Sequence, residues 1–388
     1  MRTILLAVLL CTGLVAAAQA PCRIAILAPL YLDSAFDAGN NYRLGQAYPS
    51  FAAPGLEFTE GARLALDTLQ TQGTPLQYFV FDVRSGGQSV SKLISTHQLD
   101  SIQLMIGSVS GSDYRMLAEF ARIKNIPFVS ATYPNDGGVK EDPYLVILNP
   151  TLYTHCQAIY RFVLKNHATH QLLYIRRPGA MEDMLEKYFK QLNEVGGKPL
   201  LHIQTITASA GDSVSVDKLM PYLDSNRHTV IITGSLGEAF GASLVRACNS
   251  LKDSYPMTLI GMPTWEGIRE LQSPELRQMP YLITTSFVLP DLDSATALRS
   301  MSGRFSTLTN TRPGDMAYRG YESTFLFTNL LIRYQTLMMA HLGEAYYQTY
   351  TTFDIKPVLP DGGAAPDYYE NKHIYILRKQ NGSVMRME

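Results

Sequence analysis

The feature that most constrains this chain is an alternation of strand-like and helix-like segments that runs once, stops at Asn149-Pro150, and runs again. In the first run, short apolar strands fall at 24–30, 76–83, 102–109, 127–131 and 144–148. Helical faces separate them: Phe58, Ala62, Ala65, Leu66 and Leu69 share one helix face, with further helices at 90–99 and around Leu117, Phe120 and Ala121. The second run places helices at 151–167, 181–195, 215–224 and 237–251. Its strands fall at 172–175, 200–206, 229–233, 257–262 and 281–288. Continuous apolar strands between amphipathic helices describe a parallel sheet covered on both faces. Two such runs predict two similar α/β lobes, each a doubly wound parallel sheet. Beyond Pro290 the spacing predicts helices over 296–309 and 316–342, then strands at 353–358 and 374–377. No short fixed period recurs, which excludes a solenoid.

The amino terminus reads as an export signal. Met1-Arg2 precedes an apolar run over 4–15 and the small residues Ala16-Ala17-Ala18-Gln19-Ala20. Pro21 disfavours a cut after Ala20, so cleavage is expected after Ala18, giving a signal peptide of 1–18. The alternative is a retained membrane helix, but the run is short for a bilayer. Neither Cys11 nor Cys22 has the setting of a lipid-modified cysteine. No second segment of spanning length follows. Removing 18 of 388 residues leaves about 370, enough for two domains.

Net charge is −1, so no basic field invites nucleic acid or lipid headgroups. Three cysteines remain after cleavage, and an odd number is not a disulfide framework. Cys156 and Cys248 sit on apolar helix faces as small core residues; a disulfide between them stays open. His167 and His170 lack a ligand cluster and read as a solvated loop, so no metal is expected.

In an open parallel sheet, ligands bind beyond the carboxyl ends of the strands. That rule selects a few loops. Gly107-Ser108-Val109-Ser110-Gly111-Ser112-Asp113 opens a helix after a strand. Ser110 and Ser112 offer hydroxyls and the helix offers free N–H groups, as a cradle for an anion or as an ordinary N-cap. The next strand adds Ser130-Ala131-Thr132-Tyr133. In the second run, Glu238 opens a helix after Thr233-Gly234-Ser235, either to meet a ligand amine or to satisfy the helix dipole. Arg176 and Arg177 end a strand, where guanidiniums hold carboxylate or phosphate or stay solvated. Trp265, the only tryptophan, follows Gly261-Met262-Pro263-Thr264, to stack on a ligand or to pack at the lobe edge. Residues 33–55 form a long loop able to cover a cleft. Enzyme motifs are absent: the Gly107–Gly111 turn centres on Val109 rather than serine, and no glycine-rich phosphate loop follows a strand. No catalytic residue and no cofactor are expected.

The order of elements resembles the type I periplasmic binding proteins of the Leu/Ile/Val-binding class. The resemblance rests on Glu60-Gly61-Ala62-Arg63-Leu64-Ala65-Leu66-Asp67, on Ile106-Gly107-Ser108 with Ile126-Pro127-Phe128-Val129-Ser130, and on Gly261-Met262-Pro263-Thr264-Trp265-Glu266. Arg312-Pro313 with Ala317-Tyr318-Arg319-Gly320-Tyr321-Glu322 completes it. These last two pieces resemble variants common in Bacteroidota envelopes. The resemblance implies a clamp of two lobes joined by three crossovers, near Asn149, Pro290 and Met339. It would divide the chain into 19–149 plus 290–338 and 150–289 plus 339–388. It implies that Ser110, Ala131 and Thr132 hold an amino-acid head group while Glu238 takes the amine. It further implies a monomer in the periplasm that passes a small polar ligand to an ABC permease. The alternative is an envelope or sensory module of the same fold without transport. The chain departs from the family at Tyr31-Leu32-Asp33, at Glu322 and at Arg176-Arg177.

Overall fold

The computed structural model describes residues 20–45, 48–209, 211, 213–272, 279–287, 296–360, 363 and 365–387. The expected export signal lies outside them. The first run forms β1 (Cys22–Ala28), α1 (Leu32–Ala35), α2 (Ala53–Thr71), β2 (Leu76–Asp82), α3 (Val90–Ser95), β3 (Leu104–Gly107), α4 (Gly111–Lys124), β4 (Phe128–Ser130) and β5 (Leu145–Ile147). The second forms α5 (Leu152–His167), β6 (Gln171–Arg176) and α6 (Ala180–Asn193), then a small ribbon of β7 (Glu194–Val195) and β8 (Lys198–Pro199). It continues with β9 (Ile203–Thr207), α7 (Val216–Leu219), β10 (Thr229–Thr233), α8 (Glu238–Leu251), β11 (Met257–Ile260) and β12 (Tyr281–Thr285). Helices α9 (Thr296–Thr309) and α10 (Asp315–Tyr334) precede β13 (Ile355–Val358), β14 (Tyr368–Asn371), β15 (Tyr375–Gln380) and β16 (Ser383–Arg386).

Two seven-stranded sheets result, in the orders β13-β14-β5-β4-β3-β1-β2 and β16-β15-β12-β11-β10-β6-β9. This is the expected two-lobed α/β architecture. In the first sheet, Ile24, Ile26 and Ala28 of β1 face α2 and α10, while Ala25 and Leu27 face α3 and α4. That period-two division buries both faces and explains why the strand is apolar throughout. Helix α10 stops at Gln335, whose φ of 50° leaves the helical region, and a 3₁₀ turn over Gln335–His341 follows. The helix expected over 316–342 is therefore shorter.

The sheets differ at their last-added edges. β14 runs parallel to β5, whereas β15 runs antiparallel to β12. The chain thus leaves the first sheet at the carboxyl end of β14 and enters the second beside the carboxyl end of β12, three residues later. This corrects the third crossover expected near Met339: residues 355–371 pair with the first sheet, and the passage lies between Asn371 and Tyr375.

Cys22, Cys156 and Cys248 are all buried free thiols, and burial pushes the last two up to about 12. His167 and His170 are half-buried and cluster with His228, the first stacked on it and the second tilted against it, so they are not a solvated loop. Among the described residues, no group of three or more His, Cys, Asp or Glu is placed to hold a metal ion. Nor is any helix among them long and apolar enough to cross a membrane.

Candidate functional site

The carboxyl ends of β4, β5, β11, β12 and β14 open on a cleft of about 740 Å³. Tyr133 to Asp136 follow β4, and Asn149 to Thr151 follow β5. Thr284 to Ser286 close β12, while Glu370 and Lys372 come from the end of β14. Leu152, Tyr153 and His155 are supplied by the start of α5, and Met181, Met184 and Tyr188 by one face of α6. Spacing of three and four residues puts that methionine and tyrosine set on one stripe. Glu266 and Arg319 complete one end.

The polar groups here tie the crossovers together. Asn149 Nδ2 donates to the Thr132 carbonyl at 2.8 Å, and Ser286 Oγ donates to Asn149 Oδ1 at 3.1 Å. One side chain thereby bridges the ends of β4 and β12. Asn371 Nδ2 donates to the Leu148 carbonyl at 3.3 Å. Glu370, 1 % exposed, accepts from the Thr151 amide at 2.7 Å, from Thr151 Oγ1 at 2.9 Å and from Thr154 Oγ1 at 2.8 Å. It also pairs with Lys372. Both oxygens of that carboxylate are thus engaged close to the hinge, three donors on Oε1 and the lysine on Oε2. His155 lies 2.9 Å from Thr284 Oγ1 through Nδ1. Its burial, with no charged partner, pulls its pKa down to about 3, so it is neutral at physiological pH.

A smaller cavity continues from the Glu266, Thr285 and Arg319 end, where Phe287, Asp315, Tyr318 and Glu322 close it. Glu322 is 2 % exposed. It accepts from Thr351 Oγ1 at 2.9 Å and from the Thr351 amide at 3.2 Å. Burial outweighs those bonds and pushes its carboxyl up to about 8. Burial also raises Glu266.

The residues singled out from sequence are placed differently. Thr132 reaches the cleft only through its carbonyl on Asn149; its hydroxyl pairs with Ser108 Oγ at 3.1 Å. Ala131 is fully buried in the first-lobe core. Ser110 sits at the N-cap of α4 without a side-chain capping bond, and both it and Ser112 are exposed outside the cleft lining. Glu238 is exposed at the start of α8 and also lies outside the lining. Arg176 is buried and ion-paired to Asp183 and Glu186 of α6, so the guanidinium expected at the cleft edge is consumed by the next helix. Arg177 pairs with Glu182, which also accepts from Ser235 Oγ at 2.8 Å. Trp265 is 1 % exposed; its indole fills the space over Gly241 and Gly261, where added Cβ atoms would meet it at 2.6 and 2.5 Å. It packs the lobe and does not stack on a ligand. None of the described residues of the 33–55 segment lines the cleft. Asp82 fastens the start of that segment, accepting from the amides of Leu30, Tyr31 and Leu32 at 2.8–3.1 Å.

Sequence reasoning missed His155, Thr284, Glu370, Lys372 and Arg319 as cleft residues. Only Arg319 stood in a quoted motif. Glu370 meets Thr151 across a separation of 219 residues, which no local pattern announces.

No curated protein sequence matches the chain significantly. Solved structures match across nearly its whole length. A branched-chain amino acid ABC transporter periplasmic ligand-binding protein from Burkholderia xenovorans LB400 aligns with TM-score 0.64 at 12% identity, covering 95% of this chain and 94% of that one. An ABC transporter substrate-binding protein from Desulfitobacterium hafniense, in complex with Leu, aligns at 0.57 with 13% identity, covering 95% and 100%. The substrate-binding protein LivJ from Streptococcus pneumoniae, in complex with isoleucine, aligns at 0.52 with 16% identity, covering 94% and 97%. At such identities the likeness is one of fold. The sequence profile described as "Periplasmic binding protein" matches residues 49–354, so the chain belongs to the periplasmic binding protein family and carries its type I, two-lobed fold.

Proposed function

We propose that the chain is a periplasmic solute-binding protein, which closes its two lobes on a small ligand and delivers it to an ABC permease without chemistry. The observation that carries this reading is the cleft itself. It lies at the carboxyl ends of both sheets, and the passages after Ile147, Thr285 and Asn371 converge on it. Chain passages that leave two sheets side by side act as a hinge, and a ligand touching both lobes favours the closed form. Two similar structures named for branched-chain amino acid transport, and one in complex with Leu, support the solute class. In this reading the signal peptide 1–18 is cleaved after Ala18, and the mature chain acts as a monomer.

Glu238 lies outside the lining, so the amine contact of the amino-acid-binding relatives is not rebuilt at that position. This observation favours a second reading, an envelope or sensory module of the same fold whose ligand differs. Thermal shift with a library of amino acids, peptides and organic acids tests the first reading. Binding only the folded state raises Tm with ligand concentration. No shift across the library rejects solute capture, whereas a shift without any effect on uptake by a permease selects the second reading.

A further inference from the structure

Arg319 is half-buried where the cleft meets the smaller cavity. Its guanidinium lies over the Phe287 ring at 4.2 Å, which fixes its plane. Asp315, Glu322 and Glu266 act on it electrostatically, yet none of them forms an ion pair with it among the described residues. Its Nε is buried and has no hydrogen-bond partner. Glu322 is turned to Thr351, and with its carboxyl pushed up to about 8 it is mostly uncharged at neutral pH. A fork of N–H donors with no acceptor among the described residues, held against an aromatic ring, is costly to bury and matches a carboxylate in two-point geometry. A dianionic phosphate would meet Asp315 and Glu266 as like charges, so a single-charged group suits the site better. Further along the same cleft, Tyr153 and Tyr188 meet edge to face at 5.1 Å, beside Met181 and Met184. Rings and thioethers make a wall suited to a flat apolar body.

We propose that Arg319 binds the carboxylate of the ligand, and that the ligand is a carboxylate with an apolar, aryl-sized body lying against the α5–α6 wall. This deepens the solute-binding reading and rests on it. The test is calorimetric titration of the full mature chain with phenylalkanoates of increasing chain length, with their primary amides, and with phenylalanine. At least one acid is expected to bind at least tenfold more tightly than its amide. Arg319→Met should remove that preference, and Arg319→Lys should restore part of it. Phenylalanine shares the carboxylate, so its comparison with 3-phenylpropionate reports any separate role of an amine. Circular dichroism establishes folding of each variant. If Arg319→Met does not fold, the acid–amide ratio in the wild type and in Arg319→Lys decides. Equal binding of acid and amide, no binding of any acid, or a preference unchanged in Arg319→Met overturns the assignment. The same titrations with neutral sugars, peptides and other amino acids separate the two failures. Binding of those alone leaves a solute-binding protein without an Arg319 carboxylate site; binding of nothing removes both.

Discussion

The two lobes share a strand order but close their cores by different means. In the first, α2 and α10 touch backbone to backbone. A Cβ on Gly61 would lie 2.0 Å from the Ala317 carbonyl oxygen, and one on Gly320 would lie 2.0 Å from that of Phe58. In the second, the close approach is made by a side chain, with Trp265 set between Gly241 and Gly261. A carbonyl fixed in a helix cannot yield, whereas an indole can tilt. The first lobe is therefore the more brittle, although both depend on paired glycines. Gly320→Ala should destabilise by about 3 kcal/mol or more, and Gly241→Ala by about 1–2 kcal/mol, in urea unfolding followed by circular dichroism. Equal costs would mean that the helices separate as readily as the indole turns, and the contrast would fail.

The hinge and the Arg319 end sharpen the same contrast through two buried carboxylates. Glu370 is engaged by a lysine and three further donors, whereas Glu322 accepts, among the described residues, from Thr351 alone. Glu370→Gln leaves Lys372 without its counter-charge. Because Lys372 is partly exposed, the expected cost is about 2 kcal/mol rather than the 3–5 of a fully buried pair. Glu322→Gln should stabilise at pH 7, since the native carboxyl must take up a proton on folding there and the amide need not. Denaturant melts of both variants at one pH check the ranking.

Titration gives the third separation, and its sign follows from which state holds more protons. Glu322 has a folded pKa of about 8 against 4.5 in the unfolded chain. Between those values the folded state binds the extra proton, so stability from this group is present at low pH and lost as pH rises toward 8. His155 has a folded pKa of about 3 against 6.5. Here the unfolded state binds the extra proton, so stability is lost as pH falls below about 6.5. Each group contributes a limiting slope of about 1.4 kcal/mol per pH unit inside its window. Glu322→Gln should flatten the loss between about pH 6.5 and 8 and, with its opposing slope gone, steepen the fall in stability between about pH 6.5 and 4.5. His155→Gln should remove that acid fall and leave the alkaline limb intact. Calorimetric Tm against pH reads both, and an unchanged alkaline limb in Glu322→Gln would show that Glu322 ionises normally.

What was legible in the sequence follows the range of the forces involved. The central strands and most helices announced themselves because burial on two faces writes continuous apolar runs and 3.6-residue faces; α9 was expected at 296–309 and is found there. Strands β14 and β16 were missed for different reasons: β14 lies between β13 and β5, a partner from the far end of the chain, whereas β16 pairs with the adjacent β15 at the sheet edge and is little buried. The site was read less well than the fold. The strand-end rule led to loops that include Tyr133, Pro263 and Thr264 of the cleft lining. It could not tell which strand-end side chains were already spent. Arg176 had its acids seven and ten residues ahead, at Asp183 and Glu186, and that signal was present in the sequence. Trp265 was harder, because Gly241 and Gly261 mark an indole-shaped gap only once α8 and β11 are packed.

The smallest expected effects test the strand-end residues that the cleft leaves out. Ser110 occupies an N-cap position, but its hydroxyl makes no capping bond and it is exposed. Ser110→Ala should therefore cost less than the roughly 1 kcal/mol of a working cap, nearer to the 0.5 kcal/mol scatter of surface changes. Glu238→Gln loses only a charge at the first turn of α8, about 0.3–1 kcal/mol in an exposed setting. Neither should change the affinity of a ligand held at the hinge-side cleft. A tenfold loss of binding in either variant, with Tm unchanged, would mean that closure carries α4 or α8 onto the ligand. It would then be the moving faces of the lobes, and not the hinge, that hold the head group.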